Sequence, residues 1–250
     1  MRTLPAPALL RWALMFVLMG SVAACASGPP VLTGSAEADY QRAIEDARTA
    51  EPSEISTALT PITAANDALI WSGAPGQSRL LVVTWGGANL FAETRSDTLT
   101  TSEVVWVTVA PEVQQTCRAF DGSDTALTRR LEQLIGLPPD AGYTQFAELW
   151  VDPADLFRPC PDPEITDREC ERDFPRSERF LTVAPEHKEW IRALRRTTYG
   201  ADGYPWTRLG YTYDWNPATD EFGVSEFVIR SGASVVLRQI QSTAAYCRDG

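Results

Sequence analysis

Histidine is almost missing from this chain: His187 is the only one in 250 residues. One imidazole cannot supply a two-histidine metal site, and the HExxH pattern of zinc hydrolases is absent. No serine elbow is present to partner it either. The nearest approach, Gly223-Val224-Ser225-Glu226-Phe227, lacks the second glycine and reads as mid-strand. His187 sits between Glu186 and Lys188 in the first turn of an expected helix, which predicts a solvent-facing side chain rather than a general base. Positive charge is short as well. The 22 Lys and Arg against 33 Asp and Glu leave a net charge of −11. That balance argues against nucleic acid and anionic lipid surfaces as partners, since both repel it. No internal repeat is visible, and no apolar run reaches the roughly 20 residues that a spanning helix needs.

The N-terminus carries a clear layout. Arg2 and Arg11 accompany an uninterrupted apolar run from Trp12 to Met19, and Gly20 to Ala24 bring small residues up to Cys25. This is the pattern of a secretory signal. Val22-Ala23-Ala24-Cys25 resembles the lipobox of bacterial lipoproteins. The resemblance implies cleavage before Cys25 and diacylglyceration of its thiol. With Ala26 rather than Asp next, it also implies sorting to the outer membrane, facing the periplasm. Two or three acyl chains, at about 0.8 kcal/mol per buried methylene, anchor stably where one would not. The membrane is then one partner, through Cys25. The expected plan is a signal peptide over 1–24, a lipidated tether over 25–35 and a single domain over 36–250. The signal holds two arginines and no acid, so the mature body is more acidic than the whole chain.

Four cysteines remain: Cys117, Cys160, Cys170 and Cys247. An even count in an oxidising compartment reads as two disulfides, with three possible pairings. Cys160 with Cys170 is favoured because the loop is short and holds Pro159, Pro161 and Pro163. Cys117 then pairs with Cys247 by default. Zinc is the rival reading, but no tight Cys-x-x-Cys pair exists.

Local patterns set the fold class. Ala36 to Ala50 reads as a loosely packed helix capped near Ser35. Ala68 to Trp71 and Leu80 to Trp85 read as strands, the second apolar enough to be buried on both faces. Glu103 to Ala110 is another strand, and Pro111 to Phe120 a short helix carrying Cys117. Asp124 to Ile135 is a stronger helix, with Leu127, Leu131, Leu134 and Ile135 on one face and Gly136 as its stop. Tyr143 to Val151 alternates as a strand, though Glu148 falls on the parity of Phe146 and Trp150. Asp152 to Pro175 is too rich in proline and charge for regular structure, and predicts an ordered loop stapled by Cys160–Cys170. Pro185 opens a helix. Tyr204–Tyr213, Gly223–Arg230 and Ala233–Gln241 read as three strands of an antiparallel meander. The sum is an α+β fold: a mainly antiparallel sheet with a few short helices, stapled by two disulfides.

CPDPEITD at Cys160–Asp167 and YPWTRLGYTYDW at Tyr204–Trp215 resemble segments of an uncharacterised group of exported bacterial proteins. That resemblance covers a minority of the chain and implies no activity.

Two clusters remain as candidate sites. Aromatic faces stack on sugar rings and paired carboxylates can cut them. Glu148, Trp150, Tyr211, Tyr213 and Asp214 are the binding candidates on that ground, with Tyr204, Trp206 and Trp215 nearby. The acids of 152–175 could hold calcium, but no glycine supplies the turn of an EF-hand loop. A solvated loop paired with Arg158, Arg168 and Arg172 is the better expectation, so neither metal nor cofactor is expected. No catalytic residue can be assigned. The first expectation is a non-enzymatic, lipid-anchored envelope protein that binds a partner protein or an envelope glycan. The alternative is a carboxylate-dependent enzyme acting on envelope polysaccharide.

Overall fold

The computed structural model describes residues 34–88, 91, 96–177 and 181–248. The expected signal peptide, Cys25 and most of the tether lie outside the described residues.

Helix α1, Ala36–Ala47, begins where the Ser35 hydroxyl accepts from the amide of Ala38. It buries Tyr40, Ala43, Ile44 and Ala47. These i, i+3, i+4, i+7 positions make one face. That face packs on Trp215, with Tyr40 edge-on to it at 5.8 Å. The helix is thus firmly packed, not loosely as its weak apolar stripe suggested.

The main sheet is antiparallel throughout. Its strands are β1 Leu80–Gly86, β2 Thr98–Thr100, β3 Val105–Val109, β4 Gln145–Val151, β5 Leu156–Phe157, β8 Phe227–Ile229 and β9 Ser234–Ser242. Their spatial order is β2-β9-β4-β1-β3-β8-β5. Central β1 is buried on both faces, as its β-branched, apolar run predicts. Leu80 and Val82 join one core with Val107, Leu149, Phe227 and Ile229. Leu81, Val83 and Trp85 join another, beneath the helices. The latter core is built on α2 Ala110–Arg118, α3 Asp124–Ile135 and the C-terminal α5 Thr243–Arg248. Ser123, one residue before Asp124, caps α3.

Both expected disulfides are present. Cys117 on α2 joins Cys247 on α5 with Cα atoms 5.4 Å apart, and Cys160 joins Cys170 at 6.5 Å. Both spacings suit a bridge.

The C-terminal third departs from the expected meander. The strand expected over 204–213 shrinks to β6, Tyr211–Tyr213, because Arg208 and Gly210 adopt positive φ and break the extended chain. The next expected strand is cut at Glu226, whose amide leaves the ladder to donate to the Gly210 carbonyl at 2.9 Å. Its first half, β7 Phe222–Ser225, pairs with β6 in a separate two-stranded sheet. Its second half is β8, which pairs with β3 and β5. The last strand, β9, crosses to lie between β4 and β2. Ala68–Trp71 contributes only a bridge from Trp71 to Leu80.

Helix α4, Pro185–Thr197, lays Trp190 against Phe157 of β5 and Trp106 of β3. His187 is buried there, not solvent-facing. Its Nε2 lies 2.8 Å from the Cys160 carbonyl, and its ring meets Phe157 edge-on at 5.3 Å. A carbonyl only accepts, so Nε2 carries the proton. Burial pushes the imidazole below its usual range, so the ring is held neutral.

Candidate functional site

Between the helices and the middle of the sheet lies a cavity of about 610 Å³. Its floor is Val83 and Trp85 of β1 with Trp106 and Thr108 of β3. Val113 of α2 and the turn after α3 form one wall. That turn exists because Gly136 takes a left-handed φ of 71° and ends α3. Its neighbours Leu137 and Pro138 are thereby brought round to line the space. Gly203 shapes the opposite wall. A Cβ there would stand 1.8 Å from the Thr198 carbonyl oxygen, so only glycine lets Tyr204 fold back over the cavity.

Aromatic rings meet at right angles at two corners. Trp85 and Tyr143 lie 5.6 Å apart at 85°, and Trp106 and Tyr204 lie 6.1 Å apart at 81°. Against these apolar walls stand two polar groups without partners. Thr108 is only 6 % exposed, and its hydroxyl makes no hydrogen bond. Glu226 lines the cavity, and its carboxylate makes no hydrogen bond or ion pair among the described residues. Thr108 follows Val107 and Glu226 precedes Phe227, the last pair of the β3–β8 ladder, and both line the cavity.

Burial alone pushes the Glu226 carboxyl up to about 8. It therefore resists ionisation at neutral pH. The Tyr204 phenol is raised as well, by its own burial first and then by Glu226.

The residues singled out in the sequence lie elsewhere. Glu148 and Trp150 stand on β4, and Tyr211, Tyr213 and Asp214 in or beside the small sheet. Glu148 is 4 % exposed and faces the helices with Phe146 and Trp150. A bulge opposite it, where the register steps from Gln239 to Leu237, leaves Arg238 as the extra residue. Arg238 and Gln239 both donate to Glu148, at 2.6 and 2.7 Å. Asp214 is gripped by Arg130 through two hydrogen bonds of 2.9 and 2.5 Å. Tyr211 is buried and donates to the Glu54 carbonyl, and Trp206 is buried and donates to Pro159. Tyr213 and Asp214 do reach the surface of an acidic groove against α1, with Tyr213 donating to Asp46 at 2.7 Å. No single aromatic platform is assembled, and both candidate carboxylates are held by arginine.

The stapled loop is built around a buried arginine. The Arg158 side chain is fully enclosed, and its Nη2 donates to the carbonyls of Thr60 and Asp167, both at 2.9 Å. Burial lowers its pKa to about 10. Asp162, Glu164 and Asp167 gather within 4.8 Å of one another. Asp162 is pushed up to about 6, by burial first and then by Glu171 and Glu164.

No protein-family model matches this chain, and no curated protein or solved structure does either. Its chemistry has to be read from the geometry. Sequence reasoning passed over Glu226 because it attended to Ser225 beside it. Ser225 proves structural: its hydroxyl accepts from Thr60 and its amide donates to Glu112. The available signal was an acid interrupting the otherwise apolar run around Val224–Ile229.

Proposed function

We propose that this chain is a lipid-anchored envelope protein that binds a small, largely apolar ligand in the cavity between the sheet and its helices. The cavity itself carries this reading. Its volume falls within the roughly 300–1,000 Å³ of small-molecule sites, and its lining is mostly apolar with a few convergent polar groups. The unpartnered, buried Thr108 hydroxyl is costly to keep in such a place, by about 1–3 kcal/mol. A ligand that satisfies it would recover part of that cost.

Binding fits the lining better than turnover. Among the described residues carboxylates are its only strong acid–base groups, and His187, the one histidine, is buried in the first turn of α4 against the Cys160 loop. The export and anchoring parts of the proposal rest on the signal layout and Cys25, with two disulfides in keeping with an oxidising compartment.

The test is a titration with N-phenyl-1-naphthylamine, a neutral apolar dye that brightens when it leaves water. Saturable brightening is expected, together with quenching of tryptophan fluorescence by the dye beside Trp85 and Trp106. The variant Val104→Trp, on the exposed rim of the cavity, should weaken binding by filling the entrance. Absence of saturable binding, or binding indifferent to that substitution, would sink the reading.

A further inference from the structure

We propose that the ligand of this cavity is an organic cation, its ammonium seated beside the Glu226 carboxylate and its apolar body held against the rings of Trp106, Tyr204, Trp85 and Tyr143. The inference rests on the cavity being a binding site, and adds the chemical class of what it binds.

Three observations carry it. First, among the described residues no Arg, Lys or His lines the cavity, and the only formal charges there are the acids Asp202 and Glu226. An anionic ligand would meet repulsion and no counter-charge. Secondly, Glu226 is exceptional among the enclosed acids of this fold. Glu148 is matched by Arg238, Asp214 by Arg130 and Glu132 by Arg129. Glu112 is held by Thr60 and Ser225. Among the described residues Glu226 has no cation beside it in the cavity, which leaves that place to a cation from outside. Thirdly, the walls suit a cation. Aromatic faces are electronegative, and rings set at right angles surround a charge from more than one side, as in aromatic cages for quaternary ammonium groups. The corner at Trp106 and Tyr204 stands on the same side of the cavity as Glu226: Trp106 precedes Val107 on β3, across from β8. The unpartnered Thr108 hydroxyl, which lines the same cavity, can accept from an ammonium N–H.

The experiment displaces bound N-phenyl-1-naphthylamine with three compounds of similar shape: benzyltrimethylammonium, its neutral isostere neopentylbenzene, and the anion 3-phenylpropionate. The expected result is that the cation displaces dye at a concentration at least ~10-fold below that of the neutral isostere, with the anion weakest. In Glu226→Gln the ratio of cation to neutral affinity should fall to about one. The ratio is taken within one protein, so a general loss of affinity in the variant does not distort it. The wild-type ratio stands by itself if the variant folds poorly. Equal displacement by cation and neutral isostere, or preference for the anion, would overturn the cationic ligand while dye binding keeps the cavity reading alive. No dye binding at all removes both.

Discussion

Arg130 holds both oxygens of Asp214, bridging α3 to the turn after β6. The pair is almost enclosed, and the Arg130 guanidinium lies 4.8 Å over the Phe120 ring. Asp214→Ala would strand the guanidinium among apolar neighbours. Breaking one side of a buried pair costs about 3–5 kcal/mol. The expected result is a large fall in the urea midpoint with an unchanged slope. Loss of less than ~1 kcal/mol would mean that solvent already relieves Arg130.

Glu226 makes stability depend on pH. Its carboxyl titrates near 8 in the folded protein and near 4.5 when unfolded. The folded state therefore holds the proton more tightly. The stability this supplies is complete below about 4.5 and is lost as pH rises through about 8. Asp162 acts in the same sense over a lower window, up to about 6. His187 acts oppositely: its lowered pKa gives stability above the unfolded value, lost as pH falls below it. Melting temperatures from pH 5 to 8.5 for wild type and Glu226→Gln isolate the first effect. The wild type should lose stability relative to the variant from pH 5 up to about 8, and no further above that. Parallel curves would contradict a partnerless, buried Glu226.

The two bridges should contribute unequally. On loop-closure entropy the separation of 130 residues between Cys117 and Cys247 is worth about 4–5 kcal/mol, and the ten-residue separation at Cys160–Cys170 about 2–3. Paired alanine replacements at 117 and 247 should therefore lower the unfolding midpoint more than those at 160 and 170. Thiol counting on unreduced, denatured protein should find none of these four free.

Replacing Cys25 by serine should move the protein from the membrane to the soluble fraction of the envelope. The mature mass of the wild type should exceed that of the polypeptide from residue 25 by the acyl groups. Retention of the serine variant in the membrane fraction would remove the anchor from the proposed function.

What the sequence made legible was chemistry that acts within a few residues. The burial of β1 on both faces follows from its own β-branched run. The stop at Gly136 and the stripe of α3 follow from spacing along one helix. The short bridge followed from a ten-residue loop. Partners across the fold were not legible. Nothing local says that Arg238 will bulge toward Glu148, or that the first turn of α4 will be covered by the Cys160 loop, burying His187. Glu226 was hidden for the same reason. An acid in an expected strand looks alike whether it faces open water or a cavity, and Thr108, which lines the same cavity, is 118 positions away in the chain.

The nested order of the two bridges has a consequence for how the protein matures. The cysteines run 117, 160, 170, 247, and the outer pair encloses the inner. A chain made from its N-terminus presents Cys160 and Cys170 to Cys117 long before Cys247 arrives. Oxidation in order of appearance would therefore join Cys117 to the wrong partner. The native pair forms only if Cys117 stays reduced until Cys247 arrives, or if thiol–disulfide exchange releases it. Meanwhile β9 and α5, the last elements to emerge, are the ones that lie against β4 and close over α2. Correct oxidation and completion of the sheet are thus coupled, because both wait for the segment that carries β9, α5 and Cys247.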